Sequence, residues 1–440
     1  MENTLRAGAA QIDITPKDSQ FLFGYPHVER YSTGVHDRLS SSAVYLSDGR
    51  TKVIFVSNDI IFVGKDLAGR ARSRIEKAIG VLAGNIMITA SHTHSGPHTV
   101  NYISNEADPS VPKADEKYLL FLEDCIVEAA TKAFENAQDA KLGLAIADDT
   151  GVGTNRRDPA GPADHQVPVL MVKSADGQKN IACMLVCSMH PTVMHEDSSL
   201  ISGDFPGLSK TYLQENVLGK DCAVLHNTGP CGNQSPRHVT KANTFEEADR
   251  LGQILGKAVE KAIGQIEYID KVDLKTTQQF VELPKRGFPS VEKAEAHLEK
   301  AIQTLERLRR ENGPTDKQTR TAECDWFGAE ETVVLAQAAL DGKLESVCKA
   351  CMPAEIQVIK IGKWSFVGWQ GEVFIEYPLA VKGAKPDTFM IAMANGELQG
   401  YIVTEEAAEE GGYEASNALF SFKGGQIMVD KTLEILDELK

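Results

Sequence analysis

Long apolar runs are missing from this 440-residue chain. The densest, Val53 to Val63, is broken by Ser57, Asn58 and Asp59. A bilayer-spanning helix needs roughly 20 apolar residues, so no integral membrane segment is expected. The start, Met1-Glu-Asn-Thr-Leu-Arg6, has no apolar core of the kind a secretory signal carries. Clustered positive charge is missing as well. Lys and Arg number 46 against 62 Asp and Glu, a formal net charge of −16. Phosphate backbones bind where cations cluster, so nucleic acid is not an expected partner. Cysteine is sparse: eight residues scattered along the chain. That spread excludes a small disulfide scaffold and fits reduced thiols in a cytoplasmic protein. Cys348-Lys-Ala-Cys351 has no companion pair and reads as a helix end, not a zinc knuckle. No internal repeat, low-complexity tract or interdomain linker stands out.

What is present is ordinary globular material, 42% apolar and 25% charged. The length suits one large catalytic domain over residues 1–440. Alternating apolar residues predict strands at 8–14, 43–46, 52–56, 85–90, 167–173, 181–187 and 223–226. Helical spacing covers 66–79, ending at Gly80, and 117–137. Strands alternating with helices, together with the hairpin turns Ser47-Asp-Gly and Ala175-Asp-Gly, predict an α/β protein with mixed β-sheets flanked by helices. Residues 290–311 repeat apolar side chains every three or four positions, with Ser290 as cap and Gly313-Pro314 as stop. A second helix is expected at 330–340. The two form a helical hairpin inserted at about 288–345, either a packing arm or dimer contact, or a lid. A strand hairpin over 355–368 and a last helix at 430–439 close the chain.

Five segments carry candidate chemistry. Ser91-His92-Thr-His94-Ser-Gly-Pro97 follows a strand, and histidines at i and i+2 there share a face. One can bind a metal while the other orients water or substrate. His190 in Cys187-Ser-Met-His-Pro-Thr192 sits past the next apolar strand, where α/β enzymes place ligands. Asn227-Thr-Gly-Pro-Cys-Gly-Asn-Gln-Ser235-Pro236 is a loop able to offer amides and the Ser235 hydroxyl to a substrate oxygen. Glu372 follows Gly371 at a strand end and can complete a metal site. Tyr401 and Tyr413 each follow glycine. Every one of these, taken singly, also fits a structural role.

As a set, in this order, they resemble the neutral/alkaline non-lysosomal ceramidase family. The likeness runs from Ala7-Gly-Ala-Ala-Gln-Ile-Asp-Ile-Thr-Pro16 through Gly34-Val-His-Asp-Arg-Leu39 to Tyr413-Glu-Ala-Ser416. The resemblance implies a zinc-dependent hydrolase in which metal-activated water attacks an amide (N-acyl) carbonyl. It assigns the ion to His92, His190, Glu372 and Tyr401. It assigns substrate and proton handling to His94, Arg156, Ser235 and Tyr413. One Zn2+ per chain is implied, although imidazole with carboxylate and phenolate also suits manganese or iron. The partner implied is a small N-acyl compound, and a homo-oligomer is compatible.

The sequence departs from that pattern in length. Family members carry a β-sandwich domain after the catalytic one, and this chain ends about where that domain would begin. That argues against a membrane sphingolipid as substrate, since chemistry persists while substrates change. An ester or lactone hydrolase at the same ion, a phosphoesterase using Asp59 and Asp204, and a non-catalytic metal-binding homologue are the competing readings.

Overall fold

A computed structural model describes residues 4–439. The reading of the N-terminus as leader-free rests partly on residues 1–3, which lie outside the described residues. Eight strands form the main sheet: β1 (Arg6–Asp13), β2 (Ser40–Ser47), β3 (Lys52–Asn58), β4 (Ile86–Ala90), β5 (Gln138–Asp148), β6 (Gln166–Ser174), β7 (Asn180–Cys187) and β8 (Ala223–Thr228). Their spatial order is β8-β7-β6-β5-β1-β2-β3-β4. The pairs β3–β4 and β7–β8 are parallel and the others antiparallel. Each parallel pair is bridged by a helix, α1 (Lys65–Ile79) or α3 (Asp204–Leu213), as parallel strands require.

The sheet curls until its two edge strands meet. Thr89 Oγ1 on β4 donates to Asn227 Oδ1 on β8 at 2.7 Å, and Thr228 Oγ1 donates to Ser91 O at 2.6 Å. This closure brings segments from opposite sheet edges to one place.

A second sheet, β9 (Leu274–Val281), β10 (Ala354–Ile361), β11 (Trp364–Trp369) and β12 (Thr388–Ile391), packs on the first. Phe55 meets Phe366 edge-on at 5.7 Å. Strand alternation sorts the core. Val53 and Phe55 enter the layer between the sheets, whereas Ile54 and Val56 face α1 and α2 (Glu116–Glu135). α3 and α4 (Phe245–Ile263) cover the other half of that face. The helix Lys423–Glu438 covers the second sheet from outside. The mixed α/β architecture with flanking helices is thus as expected, and the seven strands expected in the main sheet and the α1 stop at Gly80 (φ 66°) fall within a few residues of the sequence reading, whereas β5, β9 and β12 have no counterpart in it and the last helix begins at Lys423, not at 430.

The insertion is larger than its spacing indicates. α5 (Val291–Asn312) is capped by Ser290 and ends at Gly313. The second helix, α6, spans Lys317–Leu340 and is capped by Asp316, well before position 330. A short third helix, α7 (Lys343–Cys351), follows and buries Cys348 and Cys351. α6 hides its start from a periodicity search because it buries residues around much of its circumference: Ala322, Gly328, Glu331, Thr332 and Leu335. Among the described residues all eight cysteines are free. No described helix is long and apolar enough to cross a membrane.

Candidate metal centre

Beyond β4 the chain leaves the extended conformation. Ser91 N donates to Asn58 O and His92 N to Ile60 O, and His92 takes a left-handed backbone (φ 66°). The convergence of His92 and His94 therefore comes from this reversal, not from strand alternation, because the strand has already ended at Ala90.

Each imidazole is oriented by a backbone carbonyl. His92 Nδ1 lies 2.9 Å from Ile61 O, His190 Nδ1 lies 2.7 Å from Cys231 O, and His94 Nδ1 lies 3.2 Å from Gly24 O. A proton on each Nδ1 leaves a lone pair on each Nε2. Those Nε2 atoms face one another: His92 to His190 at 3.0 Å, His92 to His94 at 3.5 Å. Gly24 is required here. Its φ is +124°, and a Cβ would stand 2.4 Å from His94 Nδ1.

Glu372 completes the cluster. Its Oε2 lies 3.2 Å from His190 Nε2 and 3.6 Å from His92 Nε2, is buried, and has no hydrogen bond. The short strand Glu372–Val373 pairs in parallel with Tyr401–Ile402, register-matching Glu372 to Tyr401. Tyr401, Tyr413 and Glu331 share the pocket wall with His92, His94 and Glu372. The enclosed space is small, about 50 Å³.

The electrostatics follow from burial. Desolvation holds His190 down to about 4, helped by the nearby Arg156 cation. Burial drives His94 well below the usual histidine range, and His92 and His190 push the same way. Burial opposes ionisation of Glu372, yet the histidines more than offset it and hold the carboxyl well below its ordinary range. Tyr401 is pushed up by burial and then by Glu372, against the Arg156 charge 5.4 Å from its ring. Tyr413 is raised by burial, then by Glu331 and Glu372.

Converging lone pairs beside an orphaned carboxylate oxygen form a donor set without an acceptor. A divalent cation satisfies that set, and nitrogen and oxygen ligands of this kind suit one. Among the described residues His92, His94 and His190 lie close enough to hold one ion together.

The remaining sequence candidates sit around this centre. Arg156 Nε donates to Glu414 Oε1 at 2.8 Å, an ion pair just behind Tyr401. Ser235 is buried, and its Oγ accepts from Arg237 N at 3.2 Å as a helix cap. The loop before it spends its amides internally: Gly229 N on Cys187 O, Gly232 N on Val373 O, Gln234 N on Cys231 O. The loop also supports His190, accepting from the His190 ring at Cys231 O and from His190 N at Gln234 O. Asp59 and Asp204 are also committed. Asp59 pairs with buried Lys210 at 2.6 Å, and Asp204 accepts from Val193 N and Met194 N.

Glu331 was not singled out by sequence. It is an acidic residue in a charged helix, and only packing reveals its burial. The insertion that carries it roofs the pocket. His27 stacks against the adjoining Trp326 and Phe327 and pairs with Glu330, while Arg320 pairs with Glu196 at 2.8 Å. Gly328 lets α6 press onto the helix Tyr413–Asn417, since a Cβ there would meet Ser416 at 2.8 Å.

A family model described as neutral/alkaline non-lysosomal ceramidase, N-terminal, matches residues 5–228. The neutral ceramidase of Pseudomonas aeruginosa is 25% identical over 294 residues, 60% of this chain and 43% of that protein. That of Mycobacterium tuberculosis is 24% identical over 264 residues, 53% and 40%. That of Oryza sativa subsp. japonica is 25% identical over 228 residues, 47% and 28%. These matches span less than half the length of the curated relatives. The crystal structure of the Pseudomonas aeruginosa enzyme superposes with a TM-score of 0.75 at 20% identity, covering all of this chain and 75% of that one. A ceramidase complexed with C2 gives 0.75 at 19% identity, covering 99% and 76%. With more than half its length matched by the family model and the same architecture throughout, this chain belongs to the neutral/alkaline non-lysosomal ceramidase family.

Proposed function

We propose that this protein is a zinc-dependent hydrolase of a linear N-acyl amide, acting on a small substrate at the centre built by His92, His190, Glu372 and Tyr401. The observation that carries the reading is the buried Glu372 Oε2, without a hydrogen bond, beside facing Nε2 lone pairs. A bound divalent ion would supply Lewis acidity there, lowering the pKa of a water toward ~7.

The chain's own groups divide the remaining work. Ile61 O and Cys231 O fix the ring orientations of His92 and His190, so little reorganisation is needed when an ion binds. Arg156 places a cation over the Tyr401 ring, which favours the phenolate that ligation requires. Tyr413, kept protonated by burial, has a hydroxyl to donate to a developing oxyanion. His94 lines the same pocket, Nδ1 committed to Gly24 O and Nε2 turned toward His92 Nε2 at 3.5 Å, where it can orient the reacting water. Ser235, whose Oγ accepts from Arg237 N and keeps its own proton to donate, handles substrate or proton beside His190. Commitment of Asp59 and Asp204 elsewhere weighs against a two-metal phosphoesterase.

The test is a turnover screen of N-acyl amines, N-acyl amino acids and short-chain ceramides, alongside metal analysis of the same preparation. Amide cleavage with about one divalent ion per chain supports the reading. Turnover of phosphoesters alone would overturn it.

A further inference from the structure

The roof helix contributes chemistry as well as cover. Glu331 on α6 is 6% exposed and lines the pocket with His94, Glu372 and Tyr413. It accepts a hydrogen bond from Asn417 Nδ2. Asn417 is also 6% exposed and lines the same pocket, and its buried Oδ1 has no hydrogen-bond partner. Native structures rarely leave a buried acceptor unsatisfied. Here a carboxyl and an amide oxygen, from the inserted helix and from the helix Tyr413–Asn417, meet at one wall with a donor missing.

Two further features specify that donor. Aromatic rings crowd the pocket, among them Tyr25, Phe62, Tyr102 and Tyr413, and ring faces attract cations. No Lys or Arg stands among the described residues that line it. Arg156 and Arg30 stand behind that lining: Arg156 Nε pairs with Glu414 while its Nη2 has no partner, and Arg30 Nη1 donates to His94 O. Glu330, beside Glu331, is held by His27. A carboxylate entering here would meet Glu331 and Glu372 directly, with guanidinium groups only behind the wall. A hydroxyl would satisfy one acceptor. An ammonium would satisfy both and gain the rings.

We propose that Glu331 and Asn417 form a head-group subsite for a protonated amine, so that the favoured N-acyl substrate releases an amine carrying a second, cationic amino group. The proposal rests on the amide-hydrolase reading above for its substrate, but the subsite can be tested without turnover.

Binding of 1,4-diaminobutane, 4-aminobutanol and 4-aminobutyrate to the metal-loaded protein is measured by calorimetry, and kcat/KM is measured for their mono-N-acyl derivatives. The expected order is diamine, alcohol, acid, with at least tenfold between first and last in both series. Glu331→Gln, which keeps the side chain's shape, should remove the diamine's advantage through KM while leaving metal content near wild type. Asn417→Ala, as a second variant, should weaken diamine binding severalfold. Equal binding of all three amines, or an unchanged preference in Glu331→Gln, would overturn the subsite. Selective diamine binding without any amide turnover would uphold the subsite and reject the hydrolase reading.

Discussion

His190 and Cys231 are joined ring to backbone: the imidazole Nδ1 meets the Cys231 carbonyl at 2.7 Å, and the thiol takes no part. Substitution at 231 should therefore leave the acceptor in place. Cys231→Ala is expected to retain about one metal ion per chain, whereas His190→Ala and His92→Ala should lose it along with activity. Loss of such an orienting carbonyl typically costs ~10–100-fold in affinity. Gly232→Ala probes it, because a Cβ there would press on Phe374 and the Val373 backbone at 3.0 Å. Metal analysis after dialysis reads all four variants.

Tyr413→Phe removes one hydroxyl from the pocket wall and leaves the four assigned ligands intact. The expected result is full metal content with kcat reduced ~10²–10³-fold, as for other oxyanion donors. A loss confined to KM would assign Tyr413 to binding alone.

Lys210 and Asp59 form a buried ion pair at 2.6 Å, with Ser40 also bonded to both. Lys210→Met strands the carboxylate and should cost ~3–5 kcal/mol in urea unfolding. Pairing it with Asp59→Asn should recover much of that, since no uncompensated charge remains.

His226 is fully buried, and neither ring nitrogen has a hydrogen-bond partner. Burial, then the Lys210 charge, lowers it from 6.5 to about 3. Between those values the unfolded chain binds a proton that the folded chain refuses. Stability from this group is therefore complete above pH 6.5 and declines as pH falls, by ~1.4 kcal/mol per unit. His226→Leu should lose less stability than wild type on moving from pH 7.5 to 5.5. Parallel loss in both proteins would remove His226 from the acid response.

The legible parts of this molecule are those with local periodicity or a short dense motif. Alternation at 52–56 and 181–187 and the cap-and-stop pair Ser290 and Gly313 place elements within a few residues of where they lie. The helix Phe245–Ile263 has no counterpart in the sequence reading, although Thr244 caps it ahead of the spaced Ala248, Leu251, Leu255 and Val259. Long-range geometry was not readable. Nothing near position 331 signals a pocket, because the burial of Glu331 depends on Asn417, 86 residues away. The Ser235 hydroxyl also caps a turn by accepting from Arg237 N, a local contact that motif spacing does not encode.

His92 holds a backbone shape that L-residues with side chains avoid, at φ 66°. Such a conformation costs ~1–2 kcal/mol, and glycine or asparagine relieves it. Among variants that all delete the buried ring, the ion-free protein should thus melt higher as His92→Asn or His92→Gly than as His92→Ala, in a scan run with chelator. The tension held at 92 turns its imidazole toward the other two rings in advance, so an arriving ion would meet a ring already aimed.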